Sequence, residues 1–119
     1  MPQRPSTFGE RRRLYLLARA MVQRHYSSEL TVESVAKALS ISPRQLQRIY
    51  AQFSDTTFHD DLVGRRLEAA ARLLSTPSIT VRDVAQRVGF HQSPHFARAF
   101  RRRYGVSPST YRAKLDRAT

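Results

Sequence analysis

Cysteine is absent from this 119-residue chain. That excludes disulfides, thiolate zinc centres and thiol catalysis, and with them repair chemistry that moves an alkyl group onto a cysteine. Acidic side chains are scarce, 9 against 21 Lys and Arg, so the formal net charge is +12 and the pI about 11.5. No apolar run reaches the length of a membrane span, because Arg19 interrupts the most hydrophobic stretch, LYLLARAMV. The opening MPQRPSTFG has no hydrophobic signal region, so a cytoplasmic protein without a membrane partner is expected. No nucleophile–base arrangement and no glycine-rich phosphate loop stands out, hence no enzyme, no catalytic residue and no cofactor are expected. His91 and His95 have the i, i+4 spacing of some zinc ligands, but Pro94 lies between them and no third ligand is near. No metal is expected either. Asp60-Asp61 is a weak candidate for a carboxylate dyad, since Asp60 is accounted for by helix capping.

What the chain does have is a repeat. LTVESVAKALSIS, residues 30–42, returns as ITVRDVAQRVGFH, residues 79–91. Thr31, Val32, Val35 and Ala36 reappear as Thr80, Val81, Val84 and Ala85, while Leu30, Leu39 and Ile41 return as Ile79, Val88 and Phe90. With one extra residue in the second copy, Leu46, Arg48 and Tyr50 align with Phe96, Arg98 and Phe100. Each copy has the pattern of a helix-turn-helix. At 13.7 kDa the chain is one compact unit or two small lobes sharing a helix.

Periodicity and caps predict an all-α fold. Residues 1–8, with Pro2 and Pro5, form a flexible leader. Leu14, Leu17, Ala18, Met21 and Val22 recur at helical spacing and define an amphipathic helix from about Glu10 to His25. The first helix-turn-helix spans about 31–53, with Thr31 capping a helix Val32–Leu39 and Ser40 in the turn. Ser42, Pro43 and Gln45 then start the next helix with a capping box, and Leu46, Ile49, Tyr50 and Phe53 face inward. A linker helix at about 58–75 follows, capped by Thr57, with Leu62, Leu67, Ala70, Ala71 and Leu74 on its apolar side. The second helix-turn-helix spans about 80–103, with Thr80 as cap, Gly89 in a left-handed turn, and Phe96, Ala99 and Phe100 buried. Ser107-Pro108 opens a last short helix from which Tyr111 and Leu115 pack back.

A strongly basic chain favours a polyanionic partner, because each cation placed on a phosphate releases condensed counterions. Nucleic acid fits better than an acidic membrane surface, since the cations fall within the helix-turn-helix units and not in a tail. Arg44, Gln47 and Arg48 share one face of the first recognition helix. Arginine can present two donors to guanine, and glutamine a donor and an acceptor to adenine. Gln92, Ser93, His95 and Arg98 hold the comparable start and outward face of the second, and complete the candidate base-reading set. Arg101 and Arg102 are assigned to phosphates, together with the cap threonines Thr31 and Thr80. The run Arg11–Arg13 reads as a solvated face or as a further phosphate contact. A linker of about 17 residues measures about 25 Å at 1.5 Å per residue. Successive major grooves on one face of B-DNA lie about 34 Å apart, a distance reachable once the width of two lobes is added.

The stretch RRLEAAARLLSTPSITVRDVAQRVGFHQSPHFARAFRRRYGVSPSTYR, Arg65 to Arg112, resembles the DNA-binding domain of the AraC/XylS family of bacterial transcription regulators. Arg66-Leu67, Val84-Ala85, Gly89-Phe90, Phe96, Phe100 and Gly105-Val106-Ser107-Pro108 carry the likeness, which extends with the weaker first unit over about Leu14–Leu115. It implies seven helices, two helix-turn-helix subdomains joined by a long central helix, and recognition helices in successive major grooves. It also implies sequence-specific binding to double-stranded promoter DNA in the nucleoid, with RNA polymerase as partner and activation commoner than repression. The chain would be a small stand-alone regulator or a domain cut from a longer one. Two reading helices per chain make a monomer on an asymmetric site the preferred mode. The first unit departs from the pattern: Ser54-Asp55 stands where the second has Tyr104-Gly105, and Asp61 where it has Tyr111. A basic protein-interaction module and the DNA-docking fragment of a DNA-processing enzyme, such as a recombinase, are the competing readings.

Overall fold

The computed structural model describes residues 7–118. Among them the chain forms seven α-helices and no strand: α1 (Phe8–His25), α2 (Val32–Ala38), α3 (Pro43–Phe53), α4 (Phe58–Leu73), α5 (Val81–Arg87), α6 (Ser93–Tyr104) and α7 (Pro108–Ala118). Internal packing divides it into two units, with the boundary between Leu62 and Val63 inside α4. No helix among the described residues is long and apolar enough to cross a membrane.

In the first unit, Thr7 caps α1 by accepting from the Glu10 N–H at 3.0 Å, and Phe8 stands 5.2 Å from Phe53, ring to ring. The expected leader of residues 1–8 therefore loses Thr7 and Phe8 to the helix; residues 1–6 lie outside the described part. The buried side of α1 is Leu14, Tyr15, Ala18 and Val22. Leu17, expected to face inward, is 40% exposed, beside Leu16 at 47%. Tyr15 takes the inward position because its ring meets Tyr50 at 5.3 Å and Phe53 at 5.6 Å, a larger buried area than Leu17 offers.

Thr31 and Ser34 cap α2 reciprocally, each backbone N–H reaching the other's hydroxyl at 3.0 Å. At α3 the Ser42 N–H donates to Gln45 Oε1 at 2.8 Å and the Gln45 N–H to Ser42 Oγ at 3.1 Å, with Pro43 in the first turn where its missing N–H costs nothing. Leu46, Ile49 and Tyr50 are then fully buried. Each aliphatic side chain so buried contributes about 1.5–3 kcal/mol, which fixes the opposite face of α3 in water. The turn between α2 and α3 is made by Ser40 at φ 59°, a left-handed conformation costly for any residue with a Cβ.

The second unit repeats the plan with different side chains. Thr80 caps α5 by accepting from the Asp83 N–H at 3.0 Å, and Gly89, at φ 106°, makes the turn. Phe96 and Phe100 anchor α6, with Leu67, Ala70, Leu74, Val84, Ala85, Val88 and Phe90 around them in the core. On α4 Ala69 is buried as well, while Ala71, expected inward, is only partly covered; Ala99 on α6 is likewise partly covered. The helix expected at 58–75 ends at Leu73. Arg112 closes this end, donating from Nε to the Leu74 carbonyl at 3.0 Å and from Nη2 to that of Thr76 at 3.2 Å. Gly105, at φ 80°, terminates α6 and donates to the Arg101 carbonyl at 2.8 Å. Ser107 then caps α7 through the Thr110 N–H at 3.1 Å.

Candidate nucleic-acid interface

Each unit exposes one polar helical face opposite its apolar anchors. On α3, Arg44, Gln47 and Arg48 are all exposed, while Leu46, Ile49 and Tyr50 on the other side are at most 1% exposed. Capping at both the Thr31 and Ser42 helix starts, and burial along one side, hold this face rigidly without using any of its three side chains. That is the arrangement a recognition helix requires.

On α6, Gln92 is the N-cap residue, Ser93 the first helical residue, and both are exposed with His95 and Arg98. Gln92 makes no side-chain cap hydrogen bond, in contrast to Ser42. The His95 ring meets Phe90 edge-on at 5.6 Å, so packing restricts it as well as exposing it. Arg98 lies one turn before Arg101 and Arg102, and all three are exposed. Thr31 and Thr80 are exposed too, and both already accept a capping hydrogen bond.

Other arginines are engaged within the units. Arg103 Nη2 donates to Glu68 Oε1 at 2.8 Å, and Arg65 Nη1 lies 3.5 Å from Glu68 Oε2. Arg112 closes the end of α4. Arg11, at the head of the basic run Arg11–Arg13, donates from Nε to Gln52 Oε1 at 2.9 Å and so joins α1 to α3, whereas Arg12 and Arg13 are exposed. Arg66 is half-buried, and burial lowers its guanidinium pKa from the ordinary value. A charged arginine thus has at least three duties here: facing outward, bridging helices, and closing a helix end. Sequence alone distinguishes the first from the others only where a repeat or a helical face identifies the position.

The departure at Asp61 has a structural answer. Tyr50 donates its phenolic hydrogen to Asp61 Oδ2 at 2.7 Å. Arg19 Nε lies 3.2 Å from the same oxygen, an ion pair whose N–H is not aimed along a hydrogen bond. Arg19 Nη1 donates to the Tyr15 hydroxyl at 3.0 Å, and this bond, set against burial and aided by Asp61, raises the guanidinium pKa. Burial first, then the bond to Asp61, pushes the Tyr50 phenol far above the ordinary tyrosine range. The network holds α1, α3 and the start of α4 together beneath the α3 recognition face. Ser54 stabilises the turn after α3, its Oγ lying 3.0 Å from the Tyr50 carbonyl and accepting from the Thr56 N–H at 3.2 Å.

His91 and His95 build no metal centre: among the described residues no group of three or more His, Cys, Asp or Glu is placed to hold an ion. His59 is exposed beside Asp60, whose N–H is taken by the Thr57 hydroxyl at 3.1 Å.

Comparison with known proteins gives the same frame. A family model described as a helix-turn-helix domain matches residues 35–114. The chain is 37% identical over 95 residues to the uncharacterized HTH-type transcriptional regulator YpdC of Escherichia coli (strain K12), covering 80% of this chain and 33% of that protein. It spans about a third of the length of the curated relatives it matches. Among solved structures, the C-terminal domain of AraT, a response regulator from Geobacillus stearothermophilus, superposes with a TM-score of 0.81 at 35% identity, covering 94% of this chain and 88% of that one. The DNA-binding domain of AdpA, described as a global transcriptional factor in complex with a target DNA, superposes with a TM-score of 0.79 at 30% identity, covering 84% and 90%.

Proposed function

The chain belongs to the AraC/XylS-type family of helix-turn-helix DNA-binding domains, and on that premise we propose that it is a sequence-specific transcription regulator whose α3 and α6 read successive major grooves of promoter DNA. The observation that carries the reading is the matched pair Arg48 and Arg98. Both are exposed at equivalent positions of their helices, each opposite a buried anchor pair, Leu46 and Tyr50 in one unit and Phe96 and Phe100 in the other. Each arginine is placed to present a bidentate donor pair to guanine. Arg44 and Gln47 extend the first reading face; Gln92, Ser93 and His95 extend the second. Arg101 and Arg102 serve phosphates, as do the hydroxyl protons of Thr31 and Thr80, whose oxygens are already engaged as caps.

The relative solved with a target DNA, alike over 84% of this chain, supports the DNA-bound mode. A monomer on an asymmetric site follows from two unlike reading faces in one chain. Action together with RNA polymerase rests on the habit of the family. Selection from a random duplex library, followed by fluorescence anisotropy on the selected and a scrambled duplex, tests the proposal. It predicts a site of two unequal halves, bound at least 1,000-fold more tightly than the scrambled duplex, on the order of the specificity seen for such proteins. Equal binding to both duplexes would overturn it.

A further inference from the structure

The two helix-turn-helix units repeat their fold but not their chemistry, and the differences fall into two groups. At the aligned outward positions, polar groups suited to bases are denser in the first unit, while the second also carries Gln92, Ser93 and His95 at its helix start. Where α3 exposes Arg44, Gln47 and Arg48, the aligned positions of α6 are Pro94, Ala97 and Arg98. Cations suited to phosphates are concentrated in the second. Residues 80–103 carry six Arg against one Asp, whereas residues 31–53 carry three Lys and Arg against one Glu. Position by position, Glu33 is replaced by Arg82, Ala38 by Arg87, Ala51 by Arg101 and Gln52 by Arg102. Among the described residues Arg103 has its guanidinium paired with a carboxylate, Glu68, while Arg82, Arg87, Arg98, Arg101 and Arg102 are exposed.

The same asymmetry surrounds the two cap threonines. Thr31 lies beside the exposed Glu33 in the first turn of α2, where a phosphate meets a negative neighbour. Thr80 lies beside the exposed Arg82 in the first turn of α5, which together with the exposed Asp83 leaves that turn neutral where the first turn of α2 is negative. Gln52, the first-unit counterpart of Arg102, is held by Arg11.

We infer that the two units divide the work of binding, the second anchoring the chain to the phosphate backbone of any duplex and the first supplying most of the discrimination between sequences. The inference rests on the DNA-binding reading above. Backbone neutralisation supplies affinity and salt dependence without sequence information. Base-edge contacts supply preference with little salt dependence. A chain so built draws most of its backbone affinity from its second unit and the larger share of its sequence preference from its first.

The test uses the whole chain, the duplex obtained by selection and a scrambled duplex of the same composition, over about 50 to 200 mM salt. Arg101→Gln/Arg102→Gln should weaken both duplexes alike, by about tenfold, and reduce the slope of log affinity against log salt by about 2. Arg44→Ala/Gln47→Ala should narrow the ratio between selected and scrambled duplex by about 10- to 100-fold and change the slope by no more than about 1. Glu33→Arg should tighten both duplexes and steepen the slope by about 1. All five side chains are exposed, and a thermal melt of each variant checks that the fold is kept. The division is overturned if the α3 double substitution flattens the salt slope as much as the α6 one, or if the α6 substitution narrows the ratio while the slope stands. Failure of the underlying reading shows separately, in the unaltered chain, as equal affinity for both duplexes or no salt-dependent binding.

Discussion

The two units hold their recognition helices by unlike means. Beneath α6 the second unit stacks rings: Phe100 lies 4.6 Å from Tyr104 and 5.3 Å from Tyr111, and the two tyrosines lie 5.6 Å apart. Beneath α3 the first unit has Tyr50 where the second has Phe100, and Asp61 where it has Tyr111. The phenolic hydroxyl moves from one partner to the other, and the vacated ring position becomes its acceptor, reinforced by Arg19. The helix turn shows a second exchange, Ser40 against Gly89, both at positive φ. Helix termination shows a third: Ser54 is extended, at φ −146°, and brings its hydroxyl as well as its N–H to the Tyr50 carbonyl, whereas Gly105 is left-handed and has only its N–H for the Arg101 carbonyl. One backbone plan is thus met by dispersion and ring packing in one copy and by a polar network in the other. The two solutions fail differently: a lost ring leaves a cavity, whereas a lost polar partner leaves a covered donor or charge unsatisfied.

The comparison breaks most strongly at its aromatic side. Phe100→Ala should cost about 3–5 kcal/mol, since the side chain is fully buried among the rings of Phe96, Tyr104 and Tyr111 with little room to collapse. Chemical denaturation followed by circular dichroism measures it; a loss under about 1 kcal/mol would show that the second unit does not rest on this cluster. Asp61→Ala should cost somewhat less, about 2–4 kcal/mol, by stripping both Tyr50 and Arg19 of a partner. Tyr50→Phe in the Asp61→Ala background should then cost little more, because the two substitutions remove the same bond.

The polar side also carries a pH signature, at Tyr50. Tyr50 retains its proton in the folded chain beyond the pH at which an unfolded tyrosine, with a pKa of about 10, loses it. Its contribution is complete below about pH 10 and declines as the pH rises above that value. Tyr50→Phe should therefore flatten the fall in Tm between about pH 9 and 12. Parallel curves for the two proteins would contradict the assignment.

The turns give the smallest effects, of opposite sign. Gly89→Ser should destabilise by about 1–2 kcal/mol, because φ 106° is strained for any L side chain. Ser40→Gly should stabilise by about 0.5–1 kcal/mol, the relief of left-handed strain outweighing the added freedom of the unfolded glycine.

Much of this was legible in the residues. Helix starts were readable because, Thr7 and Gln92 aside, each cap (Thr31, Ser42, Thr57, Thr80, Ser107) is a short hydroxyl side chain placed just before its helix, and the local hydrogen bond leaves little choice. The outward faces of α3 and α6 followed from the spacing of their buried residues. The inward register of α1 did not, because Tyr15 and Leu17 compete for the core and only the positions of Tyr50 and Phe53, about 35 residues away, decide between them. Long-range polar bonds were the least legible: nothing near Arg112 in sequence indicates the carbonyls of Leu74 and Thr76. The pairing of Tyr50 with Asp61 did leave a signal, a hydroxyl gained at one repeat position where an acid appears at another.

The central claim is that Arg48 and Arg98 read separate parts of one site. Repeating the random-library selection with Arg48→Ala and with Arg98→Ala tests it directly. Each substitution should relax the preference by about 1–3 kcal/mol in one half of the site and leave the other half unchanged. Relaxation of the same base pairs by both substitutions, or of none by either, would contradict the account.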